Sequence, residues 1–407
     1  MSTRRKLWWI ALLYFAEGMP MGIVVDNLPV YLRAHGVSLA AIGVFSSLTL
    51  PWTLKPLWAP LVDRFGDRRH WIAAALALMA AATGAIPLAD PATPGILLLG
   101  AVLLLTFAGA TQDIAIDAYT IGLLAPGEEG IGNGVRVSAY RAALVASGGG
   151  LLLLAGRAGW PLAFEVAALI FAVLAVLALR APPVTVVRRP TAAWMRAFVG
   201  WLARPGASAV LVFIVLYKLA DVSMGPMVKP FWLDSGLTVD EIALVSTTAG
   251  VTLTVIGALA GGAFTSRYGI FRGLWMLGLL QAASNLGYAG AAAAGGGRAA
   301  IYAASMFESF TGGLGTAPFL AFLMHVCDRE QAATQYALLS ALFGLTRSLS
   351  APFSGFGAAH FGYAGYFALT GALALPAYAL LPWIRPWIHD LAPHRSIANG
   401  PLDSEKT

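Results

Sequence analysis

Long apolar stretches separated by short polar ones run along the whole chain. A helix needs about 20 mostly apolar residues to cross a bilayer, and the pattern predicts twelve such helices. The predicted spans are 7–32, 38–62, 70–88, 95–124, 131–156, 160–180, 207–233, 238–265, 271–293, 299–326, 331–358 and 362–386. The longest polar interruption divides them six and six. We therefore expect an N-terminal bundle over 1–180, a cytoplasmic linker over 181–206, and a C-terminal bundle with a tail over 207–407.

Composition supports a membrane protein and excludes other classes. Of the 407 residues, 58% are hydrophobic and 11% are charged, against about 25% charged residues in a soluble globular chain. A soluble enzyme of this length would lack the polar surface it needs, and a disordered chain would be more charged and less apolar. A transmembrane barrel would show short alternating segments. An all-α membrane protein is the class that fits.

Basic side chains predict how the spans are oriented. With the N-terminus in the cytoplasm, 17 Lys and Arg residues fall in cytoplasmic segments or at the cytoplasmic ends of the spans and 3 in external loops, as the positive-inside rule requires. This asymmetry explains the net charge of +6 without a nucleic-acid partner. We expect both termini in the cytoplasm. The Arg-rich, Ala- and Gly-rich composition indicates the inner membrane of a bacterium.

The two halves of the chain repeat each other. Tyr14 and Gly22 of span 1 have counterparts in Tyr217 and Gly225 of span 7, and FAGATQD in span 4 is echoed by FESFTGG in span 10. Chance similarity between apolar helices is the alternative, but the repeat includes loop residues and keeps the same order. Two parallel six-helix halves are the plan of the major facilitator fold. The predicted fold is all-α, with twelve transmembrane helices in two pseudo-symmetric six-helix bundles.

Two loops resemble the major facilitator loop signature. The chain reads APLVDRFGDRRHW over 59–71 and GGAFTSRYGIFRG over 261–273. In such a loop, a glycine makes a tight turn and an acid at a helix end pairs with a nearby arginine or with a helix N-terminus. A plain positive-inside loop is the alternative, and Ser266 replaces the acid in the second copy. The predicted gating residues are Asp63, Arg64, Gly66, Arg68, Arg69 and Arg267.

A narrower resemblance lies in the first half. The motifs LPWTLKPLWAPLVDR over 50–64, TQDIAIDAY over 111–119 and GNGVRVSAYR over 132–141 resemble the peptide–acetyl-coenzyme A transporter family. That family includes AmpG-type muropeptide permeases and siderophore permeases of the rhizobactin and pyochelin type. The resemblance implies a hydrophilic conjugate of moderate size as substrate. Because AmpG-type permeases carry extra C-terminal helices, the twelve spans favour the shorter siderophore type.

Ionisable residues inside the spans are the candidates for coupling. Each costs at least about 2.5 kcal/mol at the bilayer centre unless it is paired or hydrated, so they face the interior of the bundle. We predict that seven form a charge network that couples transport to protons: Glu17, Lys55, Asp113, Asp117, Arg136, Asp221 and Glu308. A static network that only fixes helix packing is an equally weighted alternative. Asp26 and Lys229 are interpreted as residues near the membrane interface.

Tyrosines and cations in mid-span are the candidates for substrate binding. A buried hydroxyl needs a partner, and an intramembrane cation suits an anionic group. The predicted substrate-binding residues are Tyr14, Tyr140, Arg141, Tyr217, Lys218 and Arg347. The sequence has no Walker A motif, no metal-binding pattern and no sign of another cofactor.

These observations favour a secondary active transporter that works by alternating access, with proton-coupled uptake of a siderophore, muropeptide or related anionic solute. The expected partners are that small molecule, protons and the lipid bilayer, with the protein a monomer. An intramembrane lipid-modifying enzyme would need a convergent catalytic set, and none is visible. A sensor that kept a carrier fold but lost transport is the other alternative.

Overall fold

The computed structural model describes residues 1–125, 128–184, 199–327 and 332–389, and these residues form helices and short connections. The first six helices are α1 (Thr3–Ala34), α2 (39–64), α3 (Arg68–Leu88), α4 (Ile96–Leu123), α5 (129–158) and α6 (Trp160–Leu179). The second six are α7 (Ala207–Asp234), α8 (Val239–Tyr268), α9 (Ile270–Ala293), α10 (Arg298–His325), α11 (332–361) and α12 (363–389). Gly362, with a φ of 66°, separates α11 from α12.

Eight helical segments in the described part of the chain are long and apolar enough to cross a membrane. One of them, Leu338–Ile388, spans both α11 and α12. The other three helices, α2, α9 and α10, carry breaks or polar residues and pack inside the same bundles. The described part of the chain therefore contains the twelve helices that the sequence predicts.

The helices pack in two equivalent sets of six. In the first half, α1 packs on α5, and α3 packs on both α4 and α6. In the second half, α7 packs on α11, and α9 packs on α10 and α12. The halves meet through α2 with α11, α5 with α8, and α1 with α7. Exchanging the two halves converts each of these contacts into another or into itself, so the two bundles are related by pseudo-two-fold symmetry.

Prolines and π-bulges interrupt several spans, as the Gly and Pro positions suggest. In α1, Pro20 is followed by a π-helical segment at Ile23–Asn27. The span predicted at 38–62 is a broken helix, because α2 has 3-10 turns at Ser47–Thr49 and Lys55–Leu57. Proline lacks the amide hydrogen that an α-helix uses, and α2 carries three prolines, so its backbone tightens or breaks at these points. Such bulges are common at functional sites.

Glycines bring the two halves together on one side of the membrane. A Cβ on Gly43 of α2 would lie 2.7 Å from the carbonyl oxygen of Ala351 on α11. Gly355, one turn along α11, is similarly close to the backbone of α2 at Leu39. A side chain at either glycine would push the helices apart. These contacts are on the side of the membrane domain opposite to the chain termini, which we call the distal side; the other is the terminal side.

Candidate functional site

A tyrosine, an aspartate and an arginine from three helices meet inside the N-terminal bundle. Tyr14 of α1 donates its hydroxyl hydrogen to Oδ1 of Asp117 on α4, at 2.7 Å. Arg136 of α5 places Nη2 3.2 Å from the same oxygen and lies 4.7 Å above the Tyr14 ring. The side chains of Arg136 and Asp117 are 43% and 36% exposed, which indicates solvent-accessible space deep in the bundle.

A second ion pair lies one helical turn along α4. Lys55 of α2 approaches Oδ2 of Asp113 at 3.5 Å, while Oδ1 of Asp113 has no hydrogen-bond partner among the described residues. Glu17 of α1 is buried beside this pair, and its Oε2 also lacks a partner in the described part of the chain. The structure thus brings together the five ionisable residues that we predicted as a network in the first half.

Two arginines from opposite halves flank Tyr140. Arg141 follows it on α5, and Arg347 of α11 lies close enough for its charge to act on the Tyr140 hydroxyl. Both arginine side chains are half-buried, and neither makes a hydrogen bond or an ion pair with any residue that the structure describes. An unpaired guanidinium with five donors in mid-span has strong capacity to bind an anion.

The predicted network does not extend as one unit into the second half. There, Lys218 of α7 contacts Asp221 at 3.3 Å, Oε1 of Gln281 at 2.9 Å and Oγ1 of Thr316 at 2.9 Å. Glu308 of α10 accepts a long hydrogen bond of 3.4 Å from the hydroxyl of its neighbour. Asp221 and Glu308 form a separate cluster around Lys218. The network therefore consists of two clusters, one in each half.

Two predicted substrate-binding residues have other places in the structure. Lys218 is buried with three acceptors around its ammonium group, which has only three donors, so it holds protein groups and has no donor left for an anion. Tyr217 lies in the core of the C-terminal bundle, where its ring stacks on Phe319 and its hydroxyl donates to the carbonyl oxygen of Leu274 at 3.1 Å. Both side chains point into the C-terminal bundle and are occupied by protein groups, so neither belongs to the binding site.

Polar links between the halves lie toward the distal side, and one of them joins Asp26 and Lys229, which we interpreted from the sequence as separate residues near the membrane interface. Asp26 of α1 forms an ion pair with Lys229 of α7. At the end of the same two helices, Arg33 donates from Nε and Nη2 to the two carboxylate oxygens of Asp234, each at 2.6 Å. Tyr363 donates to the same carboxylate at 2.6 Å. These contacts hold the halves together on the distal side.

The internal sequence repeat predicts the Asp26–Lys229 pair. In the register that aligns Gly22 with Gly225, Asp26 falls opposite Lys229. Residues at equivalent positions of two helices related by a two-fold axis lie close together when those helices cross near the axis. Opposite charges at such positions predict an ion pair between the halves.

The loop between α2 and α3 has the predicted glycine turn, and Asp67 and Arg69 form an acid–base pair in it. Gly66 has a φ of 72°. Asp67 caps the N-terminus of α3 by accepting from the amide of Arg69 at 3.0 Å, and it binds the Arg69 guanidinium, which lowers the pKa of Asp67. Arg69 also donates to the carbonyl oxygen of Ala181 at 3.0 Å. Arg69 therefore ties the loop to the end of α6, within its own half.

Two other predicted gating residues, Arg68 and Arg267, have their described contacts within their own halves. Arg68 is buried and donates to the carbonyl oxygen of Val62 in its own half. Arg267 is exposed and lies 5.4 Å from the centre of the neighbouring Tyr268 ring. The side chains of Asp63 and Arg64 lie outside the described residues, so their predicted latch stays a prediction.

The comparisons with known proteins agree with this arrangement. The family model described as "Major Facilitator Superfamily" matches residues 10–220. The chain belongs to the major facilitator superfamily. Within the superfamily, it is 32% identical over 386 residues to the anhydromuropeptide permease of Escherichia coli K12, covering 91% of this chain and 78% of the permease. It is 29% identical to the putative transporter AmpG 4 of Rickettsia felis, covering 93% and 96% of the two chains.

Solved structures of major facilitator proteins share the fold. A bacterial homolog of the human lysosomal transporter Spinster, in an inward-facing and unoccupied conformation, superposes with a TM-score of 0.80 at 16% identity and covers 97% of this chain and 100% of that one. The nucleoside transporter NupG superposes with a TM-score of 0.73 at 15% identity, covering 96% of this chain and 100% of that one. These structures show the shared fold. The family match and the 32% identity to a permease show that this protein is a multi-pass membrane protein and a secondary transporter of small molecules rather than an enzyme.

Proposed function

We propose that the protein imports an anionic sugar–peptide conjugate of the muropeptide class, together with protons, across the inner membrane of a bacterium. The observation that carries the proposal is the pair of arginines, Arg141 and Arg347, which come from opposite halves and have no partner among the described residues. An unpaired charge in mid-span is costly. A substrate carboxylate that binds both arginines removes this cost and joins the two halves.

The relatives support the class of substrate. The Escherichia coli relative is an anhydromuropeptide permease by name, and a muropeptide joins an amino sugar to a short peptide that carries carboxylates. The siderophore type that the span count favoured has no comparable support, so we take the muropeptide class as the substrate and the siderophore as the competing ligand in the test.

The state of the structure supports a cytoplasmic opening. The described polar links between the halves lie toward the distal side, at the Asp26–Lys229 and Arg33–Asp234 pairs. The positive-inside count places the termini in the cytoplasm, so the closed side is periplasmic. We infer that this state opens the binding site toward the cytoplasm, where an importer releases its substrate.

We assign the coupling proton to Glu17. Its carboxylate is buried with one oxygen that has no partner in the described part of the chain. The charged groups that face it are Asp113 and Asp117 of α4, Arg136 of α5 and Lys55 of α2. Two acids and two bases balance each other, so the cluster accommodates Glu17 in its neutral form and is perturbed when Glu17 ionises.

Transport in liposomes tests the binding site. Each charge-assisted hydrogen bond contributes about 1.5–3 kcal/mol, so Arg141→Gln and Arg347→Gln are expected to raise KM for a labelled anhydromuropeptide about 10- to 100-fold. Arg180→Gln is the matched control, since Arg180 is exposed at the end of α6. An unchanged KM in both variants, or a siderophore that displaces the muropeptide completely at equal concentration, contradicts this assignment.

The same liposomes test the coupling. With an inward proton gradient, the wild type is expected to accumulate substrate, and a protonophore is expected to abolish accumulation but leave counterflow intact. Glu17→Gln, which mimics the neutral acid, is expected to retain counterflow and lose accumulation. Accumulation that persists with a protonophore refutes proton coupling, and accumulation by the Glu17→Gln variant refutes the role of Glu17 alone.

A further inference from the structure

The loop between α8 and α9 is the counterpart, in the second half, of the loop between α2 and α3. When Gly66 is aligned with Gly269, Arg69 aligns with Arg272. Both glycines have a positive φ, of 72° and 89°, and each is followed within one residue by the start of a helix. The two turns therefore have the same form, and each half carries an arginine just after its turn, on the terminal side.

The two loops differ in what neutralises their arginines. In the first half, Asp67 forms an ion pair with Arg69, whereas the position equivalent to Asp67 in the second half is Ile270. Arg272 is exposed and makes no hydrogen bond or ion pair with any residue that the structure describes. Arg267, on the other side of the turn, is also exposed and has no ion pair in the described part of the chain. The second loop thus keeps two arginines and has lost the acid.

Positive charge accumulates around this loop. The sequence has no Asp or Glu between Glu241 and Glu308, so α9 and almost all of α8 supply no acid. The guanidinium carbon of Arg385 on α12 lies 5.6 Å from the centre of the Phe271 ring, and Phe271 precedes Arg272 in the chain. Three helices, α8, α9 and α12, therefore each contribute an arginine to this part of the terminal side.

Toward the middle of the membrane, α9 continues from Arg272 with an exposed apolar face. Trp275, Met276 and Leu279 follow Arg272 at three, four and seven residues, and all three are exposed. Residues at this spacing share one side of a helix. With a rise of about 1.5 Å per residue, the face runs about 10 Å from the arginine into the membrane. A cation above an apolar strip fits a molecule that has an anionic head and a hydrocarbon tail.

We propose that Arg267 and Arg272 bind the phosphate of an anionic phospholipid, whose acyl chain lies along the Trp275–Leu279 face of α9. We call this the α8–α9 lipid site. The positive-inside count places the terminal side in the cytoplasm, and anionic lipids of the cytoplasmic leaflet attract basic side chains near the membrane. Arginine forms two-pronged, charge-assisted hydrogen bonds with phosphate. The lipid phosphate supplies in the second half the negative charge that an aspartate supplies in the first.

Native mass spectrometry of the purified protein with added dioleoylphosphatidylglycerol tests the site. Each arginine near an anionic surface contributes about fivefold to affinity, so the double variant Arg267→Gln with Arg272→Gln is expected to raise the Kd of this lipid about 25-fold. Ile270→Asp restores the acid of the first loop beside Arg272 and is expected to raise the Kd at least about fivefold. Arg180→Gln is the matched control, since Arg180 is a single exposed arginine at the end of α6, and we expect no change in Kd.

Two further ligands define which part of the lipid is recognised. Dioleoylphosphatidylcholine has the same chains but no net charge, and it is expected to bind the wild type at least about fivefold more weakly. Glycerol 3-phosphate carries the phosphate without acyl chains and is expected to leave the lipid bound, because it cannot cover the apolar face of α9. Displacement of the lipid by an equal concentration of glycerol 3-phosphate would show a site for free phosphate and overturn the lipid assignment.

Three other results overturn the proposal. They are equal affinity of the wild type for the two lipids, an unchanged Kd in the double variant, and a loss of affinity in Arg180→Gln as large as that in the double variant. The last result would reduce the effect to the general positive charge of the terminal side. Because Ile270 packs against the core of the C-terminal bundle, folding of Ile270→Asp is checked by its thermal unfolding. The double variant changes only exposed side chains and decides the test if Ile270→Asp does not fold.

Discussion

The ion pair between Asp26 and Lys229 provides the sharpest test of how the two halves close. The pair joins α1 to α7 across the interface between the halves, and the side chains of Lys229 and Asp26 are 11% and 18% exposed. Asp26 also lies against Gly148 of α5, and Thr247 of α8 borders the same position. Four helices from both halves therefore meet at this pair, and it belongs to the state that is closed on the distal side.

Removing one partner leaves a buried charge behind. Breaking a buried ion pair in this way costs about 3–5 kcal/mol. When the distal side opens, water reaches Asp26 and most of this cost disappears. The substitution Lys229→Met therefore destabilises the closed state relative to the open one. Since about 1.4 kcal/mol is a tenfold change in an equilibrium constant, the full effect is a shift of more than a hundredfold toward the open state.

Thiol labelling measures this shift. The chain has one cysteine, Cys327, which is buried, so Cys327→Ser gives a background without thiols. Thr49→Cys then reports on the interface, because Thr49 of α2 is buried and its hydroxyl lies 3.1 Å from that of Ser348 on α11. An impermeant maleimide applied from the distal side is expected to label Thr49→Cys slowly in this background and at least about 10-fold faster after Lys229→Met, on the basis of the lost ion pair.

A control and a rescue make the test specific. Arg298 pairs with Glu241 at 2.9 Å within the second half, so Arg298→Met removes a distal ion pair without touching the interface and is expected to leave labelling unchanged. The double variant Asp26→Asn with Lys229→Met removes the unpaired charge and is expected to label more slowly than Lys229→Met alone. Equal labelling rates in the Lys229→Met variant and the background would show that this pair does not hold the distal side closed.

Two further predictions concern stability. Glu128 accepts hydrogen bonds from Lys6 and Thr3, and these lower its pKa to about 2. The contribution of Glu128 to the free energy of unfolding is therefore present above pH 4.5 and is lost as the pH falls toward 2. The difference in unfolding midpoint between the wild type and Glu128→Gln is therefore expected to shrink over this range, and a constant difference contradicts the assignment. A Cβ on Gly257 of α8 would collide with the backbone of α10 at Phe310. Gly257→Val is therefore expected to abolish folded protein in detergent, whereas Gly287→Val is expected to be tolerated, since a Cβ on Gly287 has no neighbour within 4 Å. Equal yields of the two variants by size-exclusion chromatography refute this reasoning.

The sequence was sufficient to predict the number and limits of the spans. Each span is set by the local requirement that about 20 residues be compatible with lipid, and this requirement is visible in the residues themselves. It was less informative about the course of α2, because hydropathy does not register the hydrogen-bond breaks at its prolines. Hydropathy sets where a span begins and ends, whereas backbone hydrogen bonding sets where its helix breaks. A hydropathy pattern therefore reports the limits of a span and not its breaks.

The candidate site was predictable in part, because some of its features also depend only on the positions of residues along single helices. Placing Lys55, Asp113, Asp117 and Arg136 in one network needed only their depth in the membrane and the spacing of four residues on α4. Whether the Lys218 ammonium is free to bind a substrate depended on its hydrogen bonds to Gln281 and Thr316, which are distant in sequence. The partners of a buried cation come from neighbouring helices, so its availability to a substrate cannot be found on its own helix.

The sequence by itself determined that this is a membrane protein of twelve spans in two repeated halves, with most of its charges outside the spans and a small set within them. The tertiary structure decided which mid-span charges meet and which are left over, although the sequence repeat already aligns Asp26 with Lys229. Asp26 and Lys229 pair because symmetry brings α1 and α7 together, whereas Arg141 and Arg347 have no such partner in the described chain. The physical reason is that hydropathy is a property of one helix and its solvent, while pairing depends on the rotation and crossing of several helices.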